Sequence, residues 1–283
     1  MKLVLNGDEE VVKVFNNNIV LVDSLGTEKI LFAKGIGFGK KPGAIISKGT
    51  EIDKIFTIED KDNIANLNDM VKKIDDGFFA ECEEAIYEIA KELDTELNER
   101  IHIGLIDHLF VAIERLKNGD EVENPFLIET RTLYPKEFKL AEMVANKIEY
   151  YSKIKIPTGE IGFIALHIHS AINDGEISNT IKSTYLNGEI IEHVEKRLGI
   201  NIDKNSLDYA RFSTHIKFAI QRIIEDRSES NELVKMIKLA YGKSYTIAQE
   251  VAEIIEHELK KKVTKEEIAF LTIHIERFRI SAK

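Results

Sequence analysis

Residues 105–116 read LIDHLFVAIERL, and residues 212–223 read FSTHIKFAIQRI. Further along each stretch, EIGFIALHIHSA at 160–171 is matched by EIAFLTIHIERF at 267–278. Both pairs are separated by 107 residues (212 minus 105, and 267 minus 160). A gapless repeat of this length indicates that one structural module has been duplicated.

Each repeat carries two histidines at matching places. They are His108 and His167 in the first repeat, and His215 and His274 in the second. Residues seven apart on a helix lie on nearly the same face, and a charged residue occupies that position relative to each histidine. These charged residues are Arg115 and Arg222, each seven residues after a histidine, and Glu160 and Glu267, each seven before one. If the two helices of a repeat pack together, an Arg–Glu ion pair would fix their register and bring two imidazoles together.

Three kinds of chemistry use such histidines, besides the plainer interpretation that each is a buried side chain with satisfied hydrogen bonds. Metal binding is one, but the chain has no HxxxH or HExxH spacing and a single cysteine. General base catalysis is another, yet neither repeat has a nucleophile motif or a glycine-rich phosphate cradle. The third is reversible phosphorylation on nitrogen, since imidazole is a competent nucleophile and the adduct adds negative charge. Duplicated phosphorylation sites would form a switch with two inputs.

The remaining histidines have no histidine at the matching position. They are His102, His169, His193 and His257. We interpret them as structural or exposed, with His102 and His169 as secondary candidates because they flank the first pair. The sequence predicts no catalytic residue, no metal ligand and no cofactor.

Composition favours a cytoplasmic protein with real hydrophobic cores. The chain has 283 residues, 43% of them hydrophobic, with only 16 glycines and 4 prolines. No run of 18 apolar residues occurs, and the amino terminus MKLVLNGDEE soon turns acidic, so we expect neither membrane insertion nor a signal peptide. Cys82 is the single cysteine and cannot form an intrachain disulfide, so a buried thiol is expected.

Charge differs sharply between the two ends of the chain. The net charge is −10, but residues 1–58 hold eight lysines and seven acidic residues, leaving −11 on the remainder. We therefore expect a polyanion to meet the amino-terminal part. A surplus of one charge is small, so binding would also need shape, stacking or a second copy of that part.

The hydrophobic pattern predicts an α+β multidomain protein. Residues 11–58 alternate as strands do, which predicts a small antiparallel sheet, with turns at Asn16–Asn18, Leu25-Gly26 and Pro42-Gly43. From about residue 64 the period changes to 3.6, which predicts two duplicated all-α helical bundles. The expected domains are 1–60, 65–172 and 173–283. A sheet of 48 residues is close to the lower limit for a stable monomer, so we expect a homodimer.

These features together resemble the sugar-responsive transcriptional antiterminators of the bacterial phosphotransferase system. In that family an RNA-binding co-antiterminator domain precedes two phosphotransferase regulation domains. The resemblance spans essentially the whole chain, and the stretches IHIGLIDH (101–108) and NPFLIETRTLYPKEF (124–138) look most like the glucose-type subgroup. The matching motifs are KVFNNNIVLV (13–22), KGIGFGKKPG (34–43), DH (107–108), GFIALH (162–167), RFSTH (211–215) and LTIHIERF (271–278).

The resemblance implies a dimer that clamps a leader RNA hairpin overlapping a terminator, so that transcription continues into sugar-transport genes. Asparagine can read base edges, Phe38 can stack on an unpaired base, and lysines can meet phosphates. The family pattern differs at Ala33, where glycine is common, and in the acidic leader NGDEE. The implied RNA contacts are Asn18, Lys34 and Phe38, supported by Lys13, Asn16, Asn17, Gly35 and Gly37.

The resemblance also implies how the protein is regulated. The sugar permease would phosphorylate the first module, at His108 and His167, and inhibit RNA binding. The phosphocarrier protein would phosphorylate the second module, at His215 and His274, and favour the active dimer. Asp107 is replaced by Thr214 in the second repeat, so the two modules need not respond equally.

Two alternatives remain open at this point. A DNA-binding activator can carry the same regulatory modules, but it needs a helix-turn-helix where this chain shows strands. A metal-dependent helical enzyme would instead hold zinc or iron among the histidines. The sequence favours the RNA-binding antiterminator over both.

Overall fold

The structure is a computed structural model that describes residues 3–24, 26–173, 175–227 and 230–281. Leu25 of a predicted turn and Asp174 near the predicted boundary between repeats lie outside these residues. The chain divides into two compact units. The first comprises Met1–Asn124 and Lys136–Ile177, and the second comprises Pro125–Pro135 and Ser178–Lys283.

The first unit begins with the predicted antiparallel sheet. Its strands are β1 (Leu3–Val4), β2 (Glu9–Val14), β3 (Ile19–Ser24), β4 (Thr27–Phe32), β5 (Ile45–Ile46), β6 (Glu51–Ile52) and β7 (Lys54–Ile58). Strands β5, β2, β3, β4 and β7 are hydrogen-bonded in that order, and β1 pairs with β6. All these pairings are antiparallel, with a register shift in β2 between Val11 and Lys13. Because the described residues up to 58 form strands and turns rather than a helix-turn-helix, the DNA-binding alternative loses its structural basis.

The sheet is buried on both faces. On one face Val20, Val22 and Leu31 pack into a small core of their own. On the other face Phe32 stacks on Tyr87 with ring centroids 5.2 Å apart, and Phe15 stacks on Phe79 at 4.3 Å. Helices of the same chain therefore supply the second layer that a small sheet needs. The size of the sheet no longer requires self-association, which removes the physical argument behind the expected homodimer.

The described residues after 60 form helices. They are α1 (Lys61–Lys73), α2 (Asp76–Leu93), α3 (Ile101–Lys117), α4 (Leu127–Leu133), α5 (Pro135–Ser152), α6 (Thr158–Ile172), α7 (Ile177–Leu198), α8 (Leu207–Ile224), α9 (Val234–Ala240), α10 (Gly242–Leu259) and α11 (Lys265–Ser281). Asp60, Asp75 and Ser206 cap α1, α2 and α8 by accepting backbone hydrogen bonds, as short polar side chains do at helix starts. None of the described helices is long and apolar enough to cross a membrane.

Corresponding helices of the two repeats pack in the same way around the paired histidines. In the first unit α3 packs on α6, and in the second unit α8 packs on α11. The second unit has a core of its own that includes Phe212, Ile216 and Ile275. Cys82 is buried in α2 and free, as expected.

Helix α4 joins the second unit although it lies in the first repeat. It packs on α8, where the hydroxyl of Tyr209 donates to Oε1 of Glu129 at 3.0 Å. Nearby, the ammonium of Lys217 lies 4.4 Å from the ring centroid of Tyr134. Its counterpart 107 residues later, α9, instead packs on α10 and α11.

Candidate functional site

In the first unit, α3 and α6 bring His108 and His167 together. Their ring centroids are 5.1 Å apart, with the rings tilted by 38°. The predicted ion pair is present, since Arg115 donates through Nη2 to Oε1 of Glu160. Nε2 of His108 lies 3.2 Å from the other carboxylate oxygen, Oε2. The seven-residue spacing on α3 and on α6 places two of these side chains on one face of each helix. The packing of the two helices thus produces one cluster of two imidazoles, a guanidinium and a carboxylate.

Burial and neighbouring charges together set the protonation of His167 and Glu160 in this first cluster. Burial and the neighbouring His108 lower the pKa of His167 to about 3. Burial alone would raise the pKa of Glu160, but His108 and Arg115 outweigh that effect and hold the pKa below its usual range. His167 is therefore neutral near pH 7, while Glu160 is ionised.

In the second unit, α8 and α11 form the corresponding cluster. The rings of His215 and His274 stack with centroids 3.9 Å apart and planes inclined by 27°. Arg222 binds Glu267 through two hydrogen bonds, from Nε to Oε1 and from Nη2 to Oε2, each 2.7 Å long. The same four residue types thus meet in a closer arrangement than in the first unit.

Both histidines of the second cluster also favour the neutral form. Burial, His215 and Arg277 lower the pKa of His274 to about 4. Burial and Arg222 lower the pKa of His215. A neutral imidazole keeps a nitrogen lone pair, which is what attack on a phosphoryl group requires. Among the described residues, no group of three or more His, Cys, Asp or Glu side chains could hold a metal ion.

The residues before the first histidine of each pair differ as expected. Asp107 is exposed beside His108. In the second unit Thr214 is half-buried, and its hydroxyl donates to the carbonyl of Ala210 at 2.7 Å. A negative charge therefore stands next to the first cluster and has no counterpart at this position of the second.

The predicted RNA-contacting residues fall into two groups. The exposed group contains Asn18, Lys34 and Phe38, with 76% of Phe38 accessible. Oδ1 of Asn18 accepts a hydrogen bond from the amide of Gly35 at 3.0 Å, which joins the β2–β3 turn to the loop after β4. Asn17 is exposed in the same turn. This group offers an aromatic face, amides and a cation on one loop surface.

The glycines of this loop serve the fold of the loop itself. A Cβ on Gly37 would lie 2.3 Å from the carbonyl oxygen of Asn16, so a side chain there would clash with the chain's own backbone. Gly35 has φ +75°, a conformation that favours glycine. Ala33 is buried in the sheet core rather than presented to solvent. The close approach that the glycines allow is therefore between the β2–β3 turn and the loop after β4.

Lys13 and Asn16 form the second group, which contacts the helices. Nζ of Lys13 lies 2.6 Å from Asp76 and donates to the carbonyl of Val71 at 2.7 Å. The amide of Asn16 donates to Oε1 of Glu84 at 3.3 Å. Two of the residues implied in RNA binding therefore already have acidic partners at or near α2.

Comparison with known proteins identifies both parts of the chain. The CAT RNA binding domain matches residues 10–65, and the PRD domain matches twice, at residues 83–171 and 188–278. The chain belongs to the family of antiterminators that join a CAT RNA-binding domain to two PRD domains. The family is regulatory rather than enzymatic, and its domains imply RNA and proteins of the phosphotransferase system as partners.

Several relatives of this CAT-PRD chain match along nearly its whole length. Protein GlcT of Staphylococcus saprophyticus is 33% identical over 270 residues, which is 95% of this chain and 96% of that protein. The transcription antiterminator LicT of Bacillus subtilis is 33% identical over 272 residues, covering 95% and 98%. The PtsGHI operon antiterminator of the same organism is 36% identical over 277 residues, covering 96% and 98%.

A solved structure supports the fold of the CAT domain and the first PRD domain. The crystal structure of GlcT CAT-PRDI superimposes with a TM-score of 0.50 and 40% identity, covering 59% of this chain and 99% of that chain. The resemblance to the antiterminator family and the α+β fold class are both confirmed. The names of the GlcT relatives support the glucose-type subgroup.

The first PRD domain also contains a buried pair that the sequence did not reveal. Nδ1 of His102 lies 2.9 and 3.0 Å from the two oxygens of Glu83, and both side chains are fully buried. The ring of His102 packs edge-on against Phe56 of the CAT domain, with centroids 4.6 Å apart. Glu83 lies on the buried side of α2, so the helical phase of α2 was the one available signal.

The other unmatched histidines also have carboxylate neighbours. Nδ1 of His169 lies 2.8 Å from Glu137, and Nε2 of His193 lies 2.9 Å from Glu250. His257 is largely exposed.

Proposed function

We propose that this chain binds a hairpin in nascent leader RNA and prevents termination upstream of sugar-transport genes. Histidine phosphorylation by the phosphotransferase system would control that binding. The observation that carries the proposal is the joining of one CAT sheet, with an exposed Asn18–Lys34–Phe38 surface, to two PRD domains that each bring two histidines together. The expected domain limits of 1–60, 65–172 and 173–283 fit this division of labour.

The exposed loop surface is the proposed RNA site. Phe38 stacks on an unpaired base, Asn18 reads a base edge and Lys34 meets a phosphate. Gly35 and Gly37 contribute by shaping the loop, as their backbone geometry requires. Stacking on one base contributes about 1–3 kcal/mol, so Phe38 is expected to dominate.

The test is a gel shift of the full chain with a labelled leader hairpin from a sugar-transport operon. Phe38→Ala should weaken binding about tenfold or more, given the stacking energy. Phe218→Ala is the matched control, because Phe218 is an exposed phenylalanine on α8. Equal binding by both variants would remove the RNA site from this loop.

The second part of the proposal concerns His108, His167, His215 and His274 as phosphorylation sites. The sugar permease, of the glucose type, acts on the first PRD domain and inhibits, while the phosphocarrier protein acts on the second and activates. Support comes from the lowered pKa values of His167, His215 and His274, which favour the neutral, nucleophilic imidazole near pH 7. Incubation with phosphotransferase components and a phosphoryl donor, followed by mass spectrometry, should find acid-labile phosphate on these histidines. Absence of phosphate from all four would refute this part.

Contacts between the CAT domain and α2 suggest how the first PRD domain restrains RNA binding. Asp76 forms an ion pair with Lys13, and Glu84 accepts a hydrogen bond from Asn16. The negative charges of the two acids also repel an approaching RNA backbone. Removing these charges should therefore free the two CAT side chains. Surface ion pairs are weak, so the expected gain in RNA affinity is about two- to fivefold.

The double variant Asp76→Asn/Glu84→Gln tests this restraint in the same gel shift. Glu92→Gln is the control, because Glu92 is an exposed acid on the same helix. An equal gain from the control would indicate a general charge effect.

The active form is proposed to be a cytoplasmic homodimer, and sedimentation of the full chain with and without RNA measures that state.

A further inference from the structure

The two Arg–Glu pairs bind in different modes. Arg222 uses two nitrogens to occupy both oxygens of Glu267. Arg115 reaches only Oε1 of Glu160, and its own Nε is buried without a hydrogen-bond partner. A guanidinium normally favours the two-bond geometry. In the first PRD domain, one oxygen of the carboxylate is therefore left for another group.

That other group is the imidazole of His108. Its Nε2 lies 3.2 Å from Oε2 of Glu160. Glu160 is fully buried, and a buried carboxylate needs a donor for each oxygen. Neither Oε2 nor Nε2 has a well-aligned hydrogen bond, and the two atoms face each other at this distance. In the second PRD domain Arg222 donates to both oxygens of the carboxylate, and His215 stacks on His274.

We propose that Glu160 is a positioning residue that holds the proton of His108 on Nε2 and leaves Nδ1 as the phosphoryl acceptor. A carboxylate accepts hydrogen bonds only, so the facing nitrogen must be the protonated one. In the second PRD domain both oxygens of Glu267 face Arg222, and His215 stacks on His274 instead. The inference rests on the proposed function, since it assumes that His108 receives a phosphoryl group.

The transfer step balances without further reactants. The bond between phosphorus and the donor's phosphorylated side chain breaks, and the donor atom keeps the electron pair. The lone pair on Nδ1 of His108 forms the new phosphorus–nitrogen bond, while the proton stays on Nε2. The imidazole of His108 gains positive charge as this bond forms, and the ionised Glu160 beside Nε2 stabilises that charge. Glu160 itself touches neither phosphorus nor the attacking nitrogen.

Glu160→Gln is expected to invert the arrangement. The amide oxygen of the new side chain must face the donor Nη2 of Arg115, which directs the amide NH₂ toward Nε2 of His108. Nε2 then becomes an acceptor, and the proton moves to Nδ1, the nitrogen that should attack. Hydrogen-bond partners that orient metal-bound imidazoles matter by about 10- to 100-fold. By analogy, phosphorylation of His108 should slow by about tenfold or more.

Nitrogen-15 NMR of the full chain tests the proposal directly, because it identifies which ring nitrogen carries the proton. The unphosphorylated wild type should show His108 protonated on Nε2, and Glu160→Gln should show Nδ1. Glu267→Gln is the matched control and should leave the tautomer of His215 unchanged. A wild-type His108 protonated on Nδ1 would overturn the proposal, even if the variant failed to fold.

The second measurement is the rate of labelling of His108 by the phosphorylated sugar permease, with the modified nitrogen identified by phosphorus–nitrogen coupling. Phosphate on Nδ1 of His108, formed more slowly in Glu160→Gln, supports the proposal, whereas phosphate on Nε2 refutes it. The two proposals fail separately. An Nε2-protonated His108 that no donor labels would refute the phosphorylation site and retain the tautomer assignment.

Discussion

The two histidine clusters have the same residue types at the same spacing, yet their geometries differ. The first pair of rings lies 5.1 Å apart and tilted, beside an Arg–Glu pair with one hydrogen bond, whereas the second lies 3.9 Å apart and stacked, beside an Arg–Glu pair with two. Duplication therefore copied the partners but not their hydrogen bonds. In the first cluster the buried carboxylate of Glu160 lies between Arg115 and His108. In the second cluster Arg222 alone donates to both oxygens of Glu267.

The largest expected difference between the clusters follows from removing the arginines. Arg222→Ala leaves the buried Glu267 without the guanidinium that binds both its oxygens, which should cost about 3–5 kcal/mol of unfolding free energy. Arg115→Ala leaves Glu160 beside His108 and removes one hydrogen bond, so about 1–2 kcal/mol is expected.

Urea unfolding followed by circular dichroism measures these costs, and hydrogen exchange assigns each loss to its unit. Arg222→Lys is an informative companion variant, because a lysine keeps the charge but cannot form the two-bond geometry. If Arg115→Ala were as costly as Arg222→Ala, His108 would contribute nothing to holding Glu160.

The second largest expected difference between the clusters is how much unfolding free energy each loses as the pH falls. A histidine whose folded pKa is depressed stabilises the fold fully above its unfolded pKa near 6.5 and loses that contribution as the pH falls below it. Between pH 7 and pH 5, His167 and His274 should each cost about 2 kcal/mol. Below pH 4 only His167 keeps adding to the cost, because its pKa is about 3 and that of His274 is about 4.

The measurement is unfolding free energy against pH for the wild type, His167→Gln and His274→Gln. Each glutamine variant should show a shallower decline on the acidic side than the wild type. Parallel curves for all three proteins would mean that neither histidine is protonated on unfolding in this range.

Helical phase and the repeat predicted much of this site from the sequence. The spacing of seven residues between His108 and Arg115, and between Glu160 and His167, was enough to predict the ion pair and the meeting of imidazoles. Phase places residues on a face but does not choose among hydrogen bonds there. One bond from Arg115 and two from Arg222 are equally consistent with the sequence, because rotamers and local packing decide between them.

Two features of the fold lay beyond the sequence for the same physical reason. The alternation of residues 11–58 predicted a sheet, but the burial of Ile19 and Leu21 on the face opposite Val20 and Val22 depends on helices that lie elsewhere in the chain. Likewise, α4 lies in the first repeat and packs on α8 of the second unit. Periodicity reports which faces are apolar, whereas the partner of each face is a tertiary choice.

The smallest expected effect concerns the charge beside each cluster. The exposed Asp107 should slow phosphorylation of His108, because it repels an incoming phosphoryl group, and Asp107→Asn should raise the rate about two- to fivefold, consistent with a surface interaction of up to about 1 kcal/mol. Thr214→Asp should lower the rate at His215 by a similar factor. Thr214→Asn is the control, since it also loses the hydrogen bond to Ala210 but adds no charge.

Both charge effects should shrink in high salt, because exposed charges are screened over about 10 Å at 0.1 M. A rate change that persists in high salt, or that Thr214→Asn reproduces, would show that shape rather than charge distinguishes the two clusters.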